Sequence, residues 1–290
     1  MAVPLQAIVI ASCIHVLWGG NPVAVKFSLM AFPPLWTAFF RFAIAIVCVG
    51  IWAKMRRVSI WPARHEWRAL ALIGTLFTVQ IGAMNIGFNL TSGSMGAVLI
   101  ATNPIFAALF AHFLIAGDRL TAFKSIGLLL AFVGTALVIA RGGGGLQMSQ
   151  GVAGNVILLC SACLLGGRLI VSAKALQRID EVRVVLWQMI LSLPLFACAA
   201  LLFESIHWDD ITWQPLAGLL YQGVVVAGVG FSVSFYLMKR YAPSVIVSFN
   251  FISPIAGVLL SAWLLGDVIT AHLWAGMLLV AMGLFLIARS

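Results

Sequence analysis

Apolar runs of about twenty residues recur from one end of this chain to the other, and they limit its possible folds more than any other feature. At 1.5 Å per residue, a helical run of that length crosses the roughly 30 Å hydrocarbon core of a bilayer. Strands of a membrane barrel would instead be about 10 residues long and alternate polar with apolar side chains. A soluble fold would have to bury all of these runs. With 63 % hydrophobic and 9 % charged residues, too little polar surface remains to cover such a core. The sequence therefore predicts an all-α integral membrane protein.

Ten transmembrane helices are marked out, approximately Ile8–Phe27, Pro34–Ala53, Ala69–Phe88, Ser94–Ile115, Ala122–Ala140, Gly151–Val171, Val182–Phe203, Pro215–Met238, Val245–Leu265 and His272–Ala288. The start lacks a basic segment and a small-residue cleavage signal, so it reads as the first span and not as a removed signal peptide. The net charge of +9 sits mostly in the short loops and records topology, with no nucleic acid implied. Thirteen of the 17 basic residues fall on alternate loops: Lys54, Arg56, Arg57, Arg64 and Arg68, then Arg119 and Lys124, then Lys174, Arg178 and Arg183, then Lys239 and Arg240, and finally Arg289. The other loops hold Arg141 and the acids Glu204, Asp209 and Asp210. The positive-inside rule then places both termini of this multi-pass protein in the cytoplasm.

The chain also repeats itself. Gly117–Leu137 and Gly266–Leu286 agree at nine of 21 positions, including Gly-Asp-x-x-Thr-Ala and two glycines seven residues apart. Ser94–Ile105 and Ser244–Ile255 share the serine and the final Pro-Ile, and "LWGGNPVAVK" (Leu17–Lys26) is echoed by "LLGGRLIVSAK" (Leu164–Lys174). Residues 1–141 and 151–290 thus read as two five-helix repeats joined by a Gly-rich linker, 142–150. An odd number of spans per copy inverts the second copy across the membrane. Inverted repeats are the usual basis of alternating access in secondary transporters, with the substrate between the halves near the midplane.

Within the spans, all eight acidic residues map to loops or helix ends, which disfavours a carboxylate-centred pump. Lys26 and Arg168 lie towards helix ends, where snorkelling accounts for them. Arg41 lies about seven residues inside its helix, where a guanidinium needs water, a structural ion pair or an anionic substrate. The cavity residues expected on this basis are Trp18, Asn21, Arg41, Gln80, Asn85, Asn103, Trp187, Gln188, Tyr221, Gln222 and Asn250. Gly19, Gly20, Pro22, Pro104 and Pro254 are the expected gating or hinge positions, because glycine permits close packing and proline removes an intrahelical hydrogen bond. Pro194 is expected to interrupt the seventh span. His15, His112 and Asn155 read as packing groups, and Trp36, Trp52, Trp61, Trp67, Trp208, Trp213 and Trp274 as interfacial anchors. The five cysteines read as small apolar core residues, too few for a zinc site. No catalytic cluster, metal site or cofactor motif is present in the sequence. The partners expected are the lipid bilayer and a small-molecule substrate; monomer and homodimer are both open.

The "LWGGNPVAVK" opening, Arg41-Phe42, "NIGFNLTSGSMGAVLIATNPIFAAL" and "GDRLTAFKSIGLLLAFVGTALV" with its later echo resemble the drug/metabolite transporter superfamily. More closely, they resemble its bacterial EamA-type exporters, with Asp118 and Asp267 where many relatives carry Glu. The resemblance covers essentially the whole chain. It implies two five-helix domains and export of small metabolites by alternating access, with a central cavity from which the fifth and tenth spans are excluded. Amino acids are the favoured substrates, aromatic ones above all, since the superfamily includes aromatic amino acid exporters of the YddG type. Export of drugs or hydrophobic cations on the same fold, and a non-transporting scaffold, are the alternatives.

Overall fold

The computed structural model describes residues 5–114, 120–141, 148–206, 208–240 and 249–288. Among the described residues, eight helices are long and apolar enough to cross a membrane: α1 (Leu5–Ser28), α2 (Pro34–Met55), α3 (Trp67–Leu90), α4 (Gly93–Leu114), α5 (Ala122–Ile139), α6 (Gly151–Leu176), α7 (Glu181–Phe203) and α8 (Trp213–Arg240). Two shorter apolar helices follow, α9 (Ile252–Leu265) and α10 (Ala271–Ile287). The protein is thus an all-α, multi-span membrane protein. In the described part of the ninth expected span, a 3-10 turn at Phe249–Phe251 precedes α9. The first residues of that span, 245–248, lie outside the described residues, as do Gly117, Asp118 and Arg119 of the repeated turn. Linker residues 142–147 are outside as well, and residues 148–150 already belong to the helix that continues as α6.

The bundle is turned inside out relative to a soluble protein. Leu201, Leu202 and Phe203 point outward, as do Phe113, Leu129 and Phe132, while Gln80, Asn85, Gln188 and Gln222 are buried. Hydrocarbon outside and paired polar groups inside is what a bilayer solvent selects. Cys13, Cys160 and Cys198 share the exposed surface and Cys48 and Cys163 are half-buried, so the cysteines do not fill the core as expected from sequence. Helix α7 runs unbroken through Pro194, with no interruption there.

In the interior, α3 packs on α6 and α7, α2 on α7 and α8, and α1 on α8 and α9. Helices α5 and α10 pack chiefly on each other. Their glycines permit this approach: a Cβ on Gly134 would lie 2.7 Å from the Gly276 carbonyl oxygen, and one on Gly127 2.6 Å from that of Gly283.

The two ends of the bundle are closed by different chemistry. At the end with the basic loops, Glu181 at the start of α7 takes Lys239 at 2.7 Å and Arg56 at 3.4 Å, and Arg183 meets Glu66 at 3.0 Å. At the other end, charged side chains satisfy helix termini. Lys26 donates to the carbonyls of Phe88 and Thr91 at the close of α3, and Asp267 accepts from Ser94 N, 2.7 Å, at the start of α4. Glu204 accepts from Leu35 N and Trp36 N at the start of α2. Burial pushes the Glu204 carboxyl above its ordinary range, against the opposing pull of those two N–H groups.

Candidate functional site

Four of the helices lose regular α geometry as they pass the centre, and the sequence accounts for most of these departures. Helix α1 is divided into Leu5–Gly19 and Asn21–Ser28 at the Gly19-Gly20 pair. Helix α4 is divided into Gly93–Ile100 and Asn103–Leu114. In both, proline is the second residue of the new segment, where a missing N–H costs nothing. Helix α8 widens into π turns over Tyr221–Phe231, a departure associated with functional positions, and α9 is preceded by its 3-10 turn. Gly20 leaves room for Tyr221, whose hydroxyl would stand 2.6 Å from an added Cβ and instead donates to Leu17 O at 2.7 Å.

These departures surround a cavity with about 160 Å³ open to the centres of water molecules, some ten times the minimum for one buried water. Its polar wall consists of His15, Asn21, Arg41, Gln80, Asn103, Arg168, Ser234, Asn250 and Ser253; Trp18, Phe231, Phe235, Met84 and Met238 are among the apolar lining. Trp18 and Phe231 meet edge to face at 6.0 Å, and the Trp18 indole N–H donates to Val226 O in the π segment at 3.3 Å.

Two arginines dominate the charge of this wall. Arg41 is 1 % exposed and Arg168 is 3 % exposed. Arg41 Nη1 donates to Gln222 Oε1 at 3.2 Å, and Arg168 Nη1 donates to Gln188 Oε1 at 2.8 Å. Gln222 is itself oriented by donating to Ala24 O and to Ser28 Oγ. Each guanidinium also lies over a ring, Arg41 over Phe42 at 5.0 Å and Arg168 over Phe77 at 4.9 Å, and those rings are 4.7 Å apart. The Nε of both arginines, Asn21 Oδ1 and Gln80 Oε1 are buried without a hydrogen-bond partner. Among the described residues no Asp or Glu lines the cavity.

Of the cavity residues expected from sequence, Trp18, Asn21, Arg41, Gln80, Asn103 and Asn250 line it. Gln188 and Gln222 stand one bond behind, holding the arginines. Asn85 is turned to Pro34 O, and Tyr221 closes the break in α1. Trp187 lies near the basic loops, packed on Trp67 and donating to Ile60 O. Among the residues expected as hinges, Pro22 lines the cavity and Gly19 is pressed against α9, where an added Cβ would lie 2.5 Å from the Ala256 Cβ. Gly20 faces Tyr221, and Pro104 and Pro254 sit in the first turns of the second α4 segment and of α9.

Sequence reasoning missed His15, Arg168, Ser234 and Ser253 as lining residues; His15, read as a packing group, stands in the polar wall. Arg168 and Ser253 were findable from the repeat. "LWGGN" against "LLGGR" pairs Asn21 with Arg168, and the Pro104/Pro254 alignment pairs Asn103 with Ser253. In each pair one residue was selected for its amide while its counterpart in the other half was not. Arg168 is no snorkel: its head group is turned inward to Gln188.

Chemically, the cavity offers fixed cations, amide oxygens and apolar walls. Among the described residues, no group of three or more His, Cys, Asp or Glu side chains could hold a metal. A lining of this kind is suited to hold a small molecule by charge, amide hydrogen bonds and apolar contact.

Comparison with known proteins gives the family. The model of the EamA-like transporter family matches residues 5–140 and again 152–289. The uncharacterized transporter YvbV of Bacillus subtilis is 26 % identical over 94 % of this chain and 88 % of its own length. A probable amino-acid metabolite efflux pump of Salmonella typhimurium is 25 % identical over 96 % of this chain and 93 % of its own. A crystal structure superposes with a TM-score of 0.75 over 98 % of this chain and 96 % of that one, at 20 % identity, and shares the fold. The chain belongs to the EamA-like transporter family. It is a membrane-embedded secondary transporter of small metabolites and not an enzyme.

Proposed function

We propose that this member of the EamA-like transporter family exports small metabolites that carry a carboxylate, amino acids foremost, by alternating access. The observation that carries the reading is Arg41, buried in the cavity wall on a neutral amide with its Nε unpartnered. A substrate carboxylate completes that group through charge-assisted hydrogen bonds. The unpartnered oxygens Asn21 Oδ1 and Gln80 Oε1 are acceptors for an ammonium group. Trp18 and Phe231 supply the aromatic surface that an aromatic side chain would meet; Trp187 and Tyr221 lend that preference no support, since both stand away from the cavity. The relative from Salmonella typhimurium, a probable amino-acid metabolite efflux pump, is in keeping with this substrate class.

The architecture we propose for this activity is ten spans arranged as two inverted five-helix repeats, residues 1–141 and 151–290. Support comes from the two separate stretches that match the family model and from the paired cavity residues Asn21/Arg168 and Asn103/Ser253. The charge bias of the loops supports an inner-membrane location with both termini in the cytoplasm. Rocking about the breaks in α1, α4 and α8 would expose the cavity to each side in turn.

Purified protein in liposomes, given labelled phenylalanine, tryptophan, threonine and a lipophilic cation with and without a pH gradient, tests the reading. Saturable transport of an amino acid that Arg41→Gln weakens is the expected result. Saturable transport of the cation alone would overturn the assignment in favour of a drug or hydrophobic-cation exporter, and no transport at all would favour a scaffold.

A further inference from the structure

We infer that the preferred substrate is an organic dianion whose two acid groups are separated on one small body, one group for Arg41 and one for Arg168. The inference rests on the carboxylate reading above, adds a second acid to it, and ranks dianions above the zwitterionic amino acids named there. A monocarboxylate compensates one buried guanidinium and leaves the other without a counter-charge when the cavity closes. A zwitterionic amino acid adds no net charge and leaves the cavity doubly positive. An uncompensated charge in a low-dielectric interior is the costliest arrangement such a site can hold, and a dianion removes it from both positions at once.

The protein itself provides no substitute. Each arginine is steered by a glutamine oxygen, which orients the cation without neutralising it. The ring beneath each guanidinium offsets part of its desolvation and supplies no net negative charge. Among the described residues no carboxylate lines the cavity.

Two further features favour one acid group for each guanidinium. The cations come from different helices, α2 and α6, and are tied to glutamines of two others, α8 and α7, so each is held at its own place. They are also not copies of one duplicated residue. Arg168 corresponds to Asn21 after the Gly-Gly pair, while Arg41 and Gln188 both lie seven residues past the first residues of their helices, Pro34 and Glu181. Each half of the chain has therefore placed one arginine where the other half has an amide.

The test uses the full chain in proteoliposomes and two substrates that differ by one carboxylate, phenylsuccinate and 3-phenylpropanoate, with phenylalanine and phenyl phosphate as further arms. Wild type should take phenylsuccinate with an apparent affinity about 10- to 100-fold better than 3-phenylpropanoate, the range of one charge-assisted contact. Arg168→Gln should bring that ratio close to one, and Arg168→Lys should restore part of it. A ratio near one in wild type, or one that Arg168→Gln leaves unchanged, overturns the inference. A preference for phenyl phosphate over phenylsuccinate overturns the separation of the acids. Saturable phenylalanine and 3-phenylpropanoate transport without a dianion preference removes the second acid and leaves the carboxylate reading standing; failure of every carboxylate removes both. Should Arg168→Gln not fold, judged by its thermal melt, the wild-type ratio decides.

Discussion

Gln222→Glu changes one atom type at the most connected position behind the cavity, and its effects on stability and transport should have opposite signs. Gln222 Oε1 accepts from Arg41 at 3.2 Å, while its Nε2 donates to Ala24 O and Ser28 Oγ. A carboxylate loses the two donations, at about 0.6–1 kcal/mol each for neutral hydrogen bonds inside a membrane protein. It gains a buried ion pair with Arg41, of a kind whose rupture costs about 3–5 kcal/mol. The variant should melt at or above the wild-type temperature in detergent, measured by tryptophan fluorescence. The same pair occupies the guanidinium that a substrate carboxylate needs. Displacing it costs about two to three orders of magnitude in apparent affinity, read as the concentration dependence of carboxylate uptake into proteoliposomes. Gln222→Leu is the control: it also removes the two donations but leaves Arg41 without its acceptor, so it should melt lower than either. Unchanged affinity in Gln222→Glu, with the melt preserved, would refute the placement of a substrate carboxylate on Arg41.

Lys26→Met strips the charged donor from the Phe88 and Thr91 carbonyls and should destabilise the fold by about 1.5–3 kcal/mol, seen as a lower melting temperature. Gly134→Val forces a side chain against the Gly276 carbonyl, 2.7 Å from its Cβ, and should cost about 1–3 kcal/mol or more. Because α5 contributes no residue to the cavity, apparent substrate affinity in Gly134→Val should match wild type when assayed below its melt. Glu204 has a folded-state pKa raised by burial, so its contribution to stability is fully present below the unfolded pKa and is lost as pH rises through the folded value. The melting temperature of wild type minus that of Glu204→Gln should therefore increase on going from neutral to mildly acid pH; a decrease would mean that the N–H groups of Leu35 and Trp36 outweigh burial.

Much of the fold was legible because the bilayer acts on composition over whole helices. Trp67–Leu90, Gly93–Leu114 and Glu181–Phe203 fall within two residues of the spans drawn from apolar runs alone. The interior was legible only in part, because depth in a span does not reveal the facing direction. Asn85, Trp187 and Tyr221 have the right chemistry at plausible depths, yet each is turned to a backbone carbonyl elsewhere: Pro34, Ile60 and Leu17. Arg168 failed in the opposite way. Its position near a helix end suggested snorkelling, but Gln188 and the Phe77 ring hold it inward. The repeat carries the facing information that single-residue depth lacks. If two halves wrap one cavity, a residue that faces it implies that its counterpart faces it too, whatever the counterpart's side chain. Asn21 with Arg168, and Asn103 with Ser253, obey that rule, and both members of each pair line the wall. It locates positions and not residue types: from Asn21 it finds Arg168, whereas Arg41 pairs with Gln188, which stands behind the wall, so neither arginine is a copy of the other. That independence gives the cavity two guanidinium groups on different helices, α2 and α6, each held by its own glutamine.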